Sequence, residues 1–289
     1  MQNKIVLVHS AQLLKLLNYI KKLGIIEICA LITFRKREIQ KTNKMKKIVS
    51  VLFLLVGSLS LHAQDPDFDD LKILYADANY EKLVKVAEGY TNKDELKKNP
   101  LPFVWLAKGL YKISLSGTDN EKFKNAYKDA VGALGKAIKN DKDGTGLSEH
   151  EEFIEDFQLS MVEMINNDIS AKDYSKASSW LMKYYKITRN PIGAKYLDGA
   201  TKYRKADKSG ANTLWKEADL ALTKLLTDPE SVENWSEADQ KLLTLGALQT
   251  AECFIAGKQV EKSNALLKKI LPLFEEDEDF KTKCAELMN

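Results

Sequence analysis

One helical face recurs along this chain at a nearly constant interval. An aromatic is followed three residues later by a small or apolar residue, then by apolar residues four and three positions further on: Tyr127, Ala130, Leu134, Ala137. The same frame is readable at Tyr80, Leu83, Ala87, Tyr90; at Tyr174, Ala177, Leu181, Tyr184; and at Trp215, Ala218, Leu222, Leu225. With Val260 in place of the aromatic, it continues at Ser263, Leu267 and Ile270. Steps of three and four put each set on one side of a helix. The starts at 80, 127, 174, 215 and 260 are 47, 47, 41 and 45 residues apart, and a period of roughly 20 to 50 residues marks a stacked-repeat protein. One helical hairpin cannot bury both of its apolar faces, so such units stack on one another. No strand pattern of period two competes anywhere in the chain.

Between these helices lie partners that complete five hairpins. The first pairs Phe68 to Ala76 with Tyr80 to Tyr90, turning at Asp77-Ala78-Asn79, and Pro100 and Pro102 separate it from the next. The second sets Phe103, Leu106, Ala107 and Leu110 on one face before the Tyr127 helix. The third runs from Ser148 to Asn167, with Phe153, Phe157, Met161 and Met164 inward, then from Tyr174 to Thr188. The fourth uses Tyr196, Gly199, Ala200 and Tyr203, turns at Lys208 to Asn212, and returns from Trp215 to Leu226. The fifth opens with Ser236 as an N-cap, buries Leu242, Leu245 and Gly246, and returns from Val260 to Phe274. Phe280, Cys284 and Leu287 form a short capping helix.

The start of the chain carries an export signal in form. Met45-Lys-Lys opens an apolar run of 14 residues, Ile48 to Leu61, followed by His62-Ala63. Charged start, apolar run and small residue match a secretory signal, and the run is shorter than the roughly 20 residues a membrane span needs. The expected layout is an upstream extension at 1–44 from an early start codon, a signal at 45–63 cleaved after Ala63, and a repeat domain at 64–289. The mature protein is then periplasmic or secreted, with no stable membrane span. The first 63 residues hold 11 of the 44 Lys/Arg and two of the 41 Asp/Glu, so the mature chain changes sign to a net charge of −6. Nucleic-acid binding loses its electrostatic basis, because phosphate neutralisation needs clustered Lys/Arg.

The helix pairs resemble tetratricopeptide repeats, whose first helix reads Trp-x2-Leu-Gly-x2-Tyr. The matching residues are Phe103/Leu106/Ala107/Leu110, Tyr196/Gly199/Ala200/Tyr203 and Leu242/Leu245/Gly246/Gln249. The second helix of the family fits at Ala130/Leu134/Ala137, Ala177/Leu181 and Ala218/Leu222, with Pro229 near its place. The periods exceed the family's roughly 34 residues, and HEAT-like pairs, with a period of about 40 to 47, are the runner-up. The resemblance implies an all-α, right-handed α-solenoid of about five hairpins plus the capping helix. It also implies a non-enzymatic scaffold whose concave surface binds a protein or peptide segment. In the family the first helix of each pair lines the groove, which directs Lys108, Tyr111 and Lys112, then Arg204 and Lys205, towards it. A basic groove would suit an acidic tail or a C-terminal carboxylate.

Residues that could carry chemistry are sparse. His150 is the one histidine after residue 63, so a His-based acid/base pair, triad or multi-His zinc site cannot be assembled. No cofactor motif appears. Asp141-Lys-Asp143-Gly-Thr145-Gly146 to Glu152 resembles an EF-hand loop, with Asp141, Asp143, Thr145 and Glu152 at ligand positions. A polar repeat turn reads the same way. Trp105, Trp180, Trp215 and Trp235 offer sugar-stacking surfaces, so glycan or calcium binding is the alternative function. Cys253 and Cys284, 31 residues apart, are candidates for a disulfide or for two buried thiols.

Overall fold

A computed structural model describes residues 68–117, 119–227 and 235–288. The expected upstream extension, signal and cleavage site, and Pro229, lie outside the described residues. The chain divides into two units at residue 67, and the described residues all belong to the second, Phe68–Asn289.

Every element among the described residues is helical. The α-helices are α1 Asp69–Ala76, α2 Tyr80–Thr91, α3 Leu101–Ser116, α4 Ala126–Asn140, α5 Glu151–Ser170, α6 Tyr174–Tyr184, α7 Ile192–Arg204, α8 Lys208–Leu225, α9 Glu237–Ala256, α10 Val260–Ile270 and α11 Glu278–Met288. Consecutive helices pack as pairs, α1 with α2 through α9 with α10, and α11 packs on the last pair. No described helix is long and apolar enough to cross a membrane.

Four of the pairs turn through the same three-residue geometry. At 77–79, 171–173, 205–207 and 257–259 the central residue, Ala78, Lys172, Ala206 or Lys258, is left-handed, with φ of 55°, 59°, 67° and 59°. In each turn the three amides donate back to carbonyls four, three and five residues earlier, as in Asp207 N to Lys202 O at 2.9 Å. These bonds close the carbonyls that a helix end leaves open. In two of the turns the third residue also caps the next helix: Asp173 accepts from Lys176 N and Asp207 from Gly210 N. The α3–α4 pair differs, leaving its first helix through Gly117 at φ 67° and a longer connection.

One turn therefore falls elsewhere than expected. Lys208 to Asn212 is the first turn of α8, and the chain reverses at Lys205-Ala206-Asp207. Ser209 and Gly210 look like loop residues in sequence, but the Asp207 carboxylate takes the Gly210 amide 2.8 Å away and starts the helix before them. The interval between the starts of α6 and α8 is thereby 34 residues.

The recurring face is the core. Leu83, Ala87, Ala130, Leu134, Ala137, Ala177, Leu181, Ala218, Leu222, Ser263, Leu267 and Ile270 are all fully buried. Helices α7 and α9 belong to two apolar clusters at once. Ala194, Leu197, Ala238 and Leu242 face the cluster built on α2 to α6, while Tyr196, Ala200, Leu243 and Ala247 face the one extending to α11. The start of α9 also reaches α5, two hairpins back.

Candidate functional site

The contact between α9 and α5 brings together three stretches of chain that are distant in sequence. The end of α4 and its exit loop supply Ile138, Asp141 and Leu147; α5 supplies Glu151, Ile154, Glu155 and Gln158. The connection from α6 to α7 adds Ile187, Arg189 and Asn190, and the approach to α9 adds Trp235, Ser236 and Asp239. They enclose a cleft of about 340 Å³, within the range of small binding sites.

Its polar groups are fixed from within the fold. Asp141, 3% exposed, receives the Gly146 amide at 2.9 Å and Arg189 Nη2 at 2.7 Å. Arg189 also reaches the Asp141 carbonyl oxygen at 3.0 Å. Asp239 sits in the first turn of α9, where Ser236 caps the helix by accepting its amide at 3.2 Å. Its carboxylate receives the Tyr184 hydroxyl at 2.8 Å and lies 2.7 and 2.9 Å from the Thr188 hydroxyl. Burial pushes the Asp239 carboxyl above its ordinary value, against the lowering effect of these hydroxyls. Tyr184 is pushed up in turn, by burial first and by Asp239 next. Gln158 donates its Nε2 to Ile187 O at 2.5 Å, and Glu155 accepts the Glu237 amide at 2.6 Å.

On the opposite side of the α9 start, Glu237, Gln240, Lys241 and Thr244 face the Leu273–Asp277 segment across a second cleft of about 430 Å³. Lys241 pairs with Glu237 at 2.6 Å, so the free charges on that rim are negative.

Of the residues expected in a basic groove, Lys108 and Arg204 are engaged within the fold. Lys108 lies 3.0 Å from His150 Nδ1 and within 4.7 to 5.5 Å of the Trp105, Phe153 and Tyr75 ring centres. Tyr111 is packed among Tyr127, Phe153 and Phe157, and Lys112 is half-buried beside it in sequence. Arg204 ties α7 to Glu252 and Gln249 of α9 and lies over the Tyr174 ring. Lys205 is exposed. Two of the expected cations thus serve as internal struts.

The other candidates resolve similarly. All four tryptophans are buried, so no exposed indole is present among the described residues; Trp235 lines the first cleft. In the EF-hand-like loop Asp141 is engaged by Arg189 and Gly146, and the left-handed glycine is Gly144 rather than Gly146. No group of three or more His, Cys, Asp or Glu side chains that could hold a metal occurs among the described residues. Cys253 and Cys284 are free and buried, members of one apolar cluster.

Sequence reasoning missed Arg189, Gln158, Thr188 and Asp239 as site residues. Arg189 stands in an Arg-Asn-Pro helix terminator, and Asp239 in an N-capping segment, so each carried a local meaning that hid its tertiary one. No protein-family model matches the chain, and no curated protein matches it in sequence.

Proposed function

We propose that this chain is an exported, non-enzymatic scaffold, a solenoid of five tetratricopeptide-like hairpins closed by α11, that binds a protein segment in the periplasm or cell envelope. The observation that carries the reading is the shared turn: four hairpins reverse on three residues with a left-handed centre and the same three backbone bonds. A turn repeated this closely supports a repeated hairpin unit, and stacks of such units display extended recognition surfaces. Two glycines of the family pattern support it. Gly199 makes room for the Trp215 indole of its own hairpin, and Gly246 for Gly193 and Tyr196 of the preceding one. The export part rests on the charged start and apolar run at 45–61. The polar groups around the cleft, Asp141, Gln158, Arg189 and Asp239, are tied to neighbouring elements by hydrogen bonds that hold its shape, and a shaped polar cleft of this kind suits binding.

Site-directed photo-cross-linking in intact cells tests the reading. A benzoylphenylalanine at Glu151, at the cleft, should capture one envelope protein that the same probe at Leu220, exposed on α8, does not. Identical products from both positions, or none from either, would remove the scaffold assignment.

A further inference from the structure

The cleft contains a buried negative charge for which the described residues supply no counter-charge. Asp239 is 4% exposed, and its carboxylate is met by the hydroxyls of Tyr184 and Thr188. No cation pairs with it among the described residues, and the cation lining the cleft, Arg189, is held by Asp141. Gln158, 5% exposed, donates its amide to Ile187, while its Oε1 accepts no hydrogen bond among the described residues. Glu151 and Glu155 bring two more carboxylates to the same space. Four carboxylates therefore face one engaged guanidinium, between walls supplied by Ile154, Ile187 and the Trp235 ring.

Burying a carboxylate away from any cation is unfavourable, and a cation brought beside it offsets the desolvation. Asp198 shows how this chain treats a buried acid with a purely internal role. Hydroxyls of Ser178, Tyr185 and Thr201 close around it, and it lines neither cleft. Asp239 differs because it borders open volume.

We propose that the cleft receives an organic cation, the lysine or arginine side chain of the bound partner. The ammonium or guanidinium donates to Asp239 and Gln158, and the aliphatic stem lies along Ile154, Ile187 and Trp235. The scaffold reading is needed only for the source of the cation. The second cleft, with Glu275 and Glu276 beside Leu273 and Phe274 on the far side of the same helix start, where Glu237 is paired with Lys241, extends the preference for a basic segment. The expected partner thus has the opposite charge to the one inferred from Lys108 and Arg204.

Isothermal titration of the purified protein at physiological salt, where loose surface attraction is screened, tests this. Putrescine and a terminally blocked peptide with one lysine should bind saturably; butanediol and the same peptide with acetyl-lysine should not. Asp239→Asn keeps the acceptor shape and should weaken both ligands about tenfold, as loss of a charge-assisted bond does. Glu151→Gln, on an exposed first turn, should weaken them in the same direction and decides the matter if Asp239→Asn fails to fold. No binding of putrescine, equal binding of butanediol, or unchanged affinity in Glu151→Gln would overturn the cation site. Binding of putrescine with exclusion of the lysine peptide would overturn its assignment to a partner side chain. A position-specific cross-link at Glu151 without cation binding sinks this inference alone, and cation binding without that cross-link sinks the scaffold reading alone.

Discussion

Gly193 and Gly246 bring α7 and α9 to backbone contact: a Cβ at position 246 would stand 2.5 Å from the Gly193 carbonyl oxygen, and one at 193 would overlap the backbone of Leu242 and Leu243. Neighbouring first helices meet there without intervening side chains. The approach lets α9 touch both apolar clusters and places its first turn against α5, which is what forms the cleft.

Gly246→Ala should therefore destabilise the protein by about 1–3 kcal/mol, because backbone cannot yield as a side-chain tip can. Gly132→Ala is the control. It lies in α4 with nothing within 4 Å of its added Cβ, so it should stabilise by about 0.5–1 kcal/mol. Urea unfolding of the two variants measures both signs, and a neutral Gly246→Ala would mean that the helices stand further apart.

His150 sets a pH limit on the fold. Burial, then the charges of Lys108 and Lys72, lower its pKa from 6.5 to about 4, and the neutral ring accepts at Nδ1 from Lys108. The folded value lies below the unfolded one, so the unfolded chain binds more protons between them. The contribution is complete above about pH 6.5 and is lost as the pH falls towards 4. Between about pH 7.5 and about pH 4.5 the wild type should lose about 2 kcal/mol more than His150→Gln, in which this titration is absent. Proton NMR of the single imidazole after residue 63 should give a midpoint near 4, and one near 6.5 would refute the buried neutral ring.

How much of the fold is readable from sequence depends on whether the signal is local. The repeating aromatic-Ala-Leu frame maps directly onto buried faces, since Ala130, Leu134 and Ala137 answer to helix geometry alone. The start of α8 is obscured because Ser209 and Gly210 have loop character, while the deciding bond comes from Asp207. The cleft is not legible. Its residues lie in separate stretches, at 138–158, 187–190 and 235–239, joined by a contact that skips a hairpin. Asp198 and Asp239 read as solvated helix acids, and only tertiary packing buries them.

The two thiols should behave as core residues. Cys253 and Cys284 are buried, burial pushes both pKa values up to about 11, and the Cys253 thiol lies 3.8 Å from Ala200 O. A thiol without thiolate character or access is inert. In protein that begins after Ala63 and so lacks Cys29, Ellman's reagent should leave the native state unmodified near neutral pH and titrate two thiols in denaturant without reductant. A count of zero after denaturation would show a disulfide instead.

Arg189 and Asp141 decide between an ion pair and a calcium loop. The Asp141 side chain is 1% exposed and that of Arg189 48%, so the carboxylate is the partner that cannot turn to water. Arg189→Met leaves it with the Gly146 amide alone and should destabilise by about 2–3 kcal/mol, the penalty for an uncompensated buried charge tempered by the exposed position of the arginine. With Arg189 in place, both Asp141 oxygens already carry donors, and calcium would have to displace a guanidinium to reach them. Millimolar calcium should therefore leave the melting temperature of the wild type unchanged, since an ion that binds the folded state raises it. A rise of several degrees that Asp141→Asn abolishes would restore the loop as a calcium site.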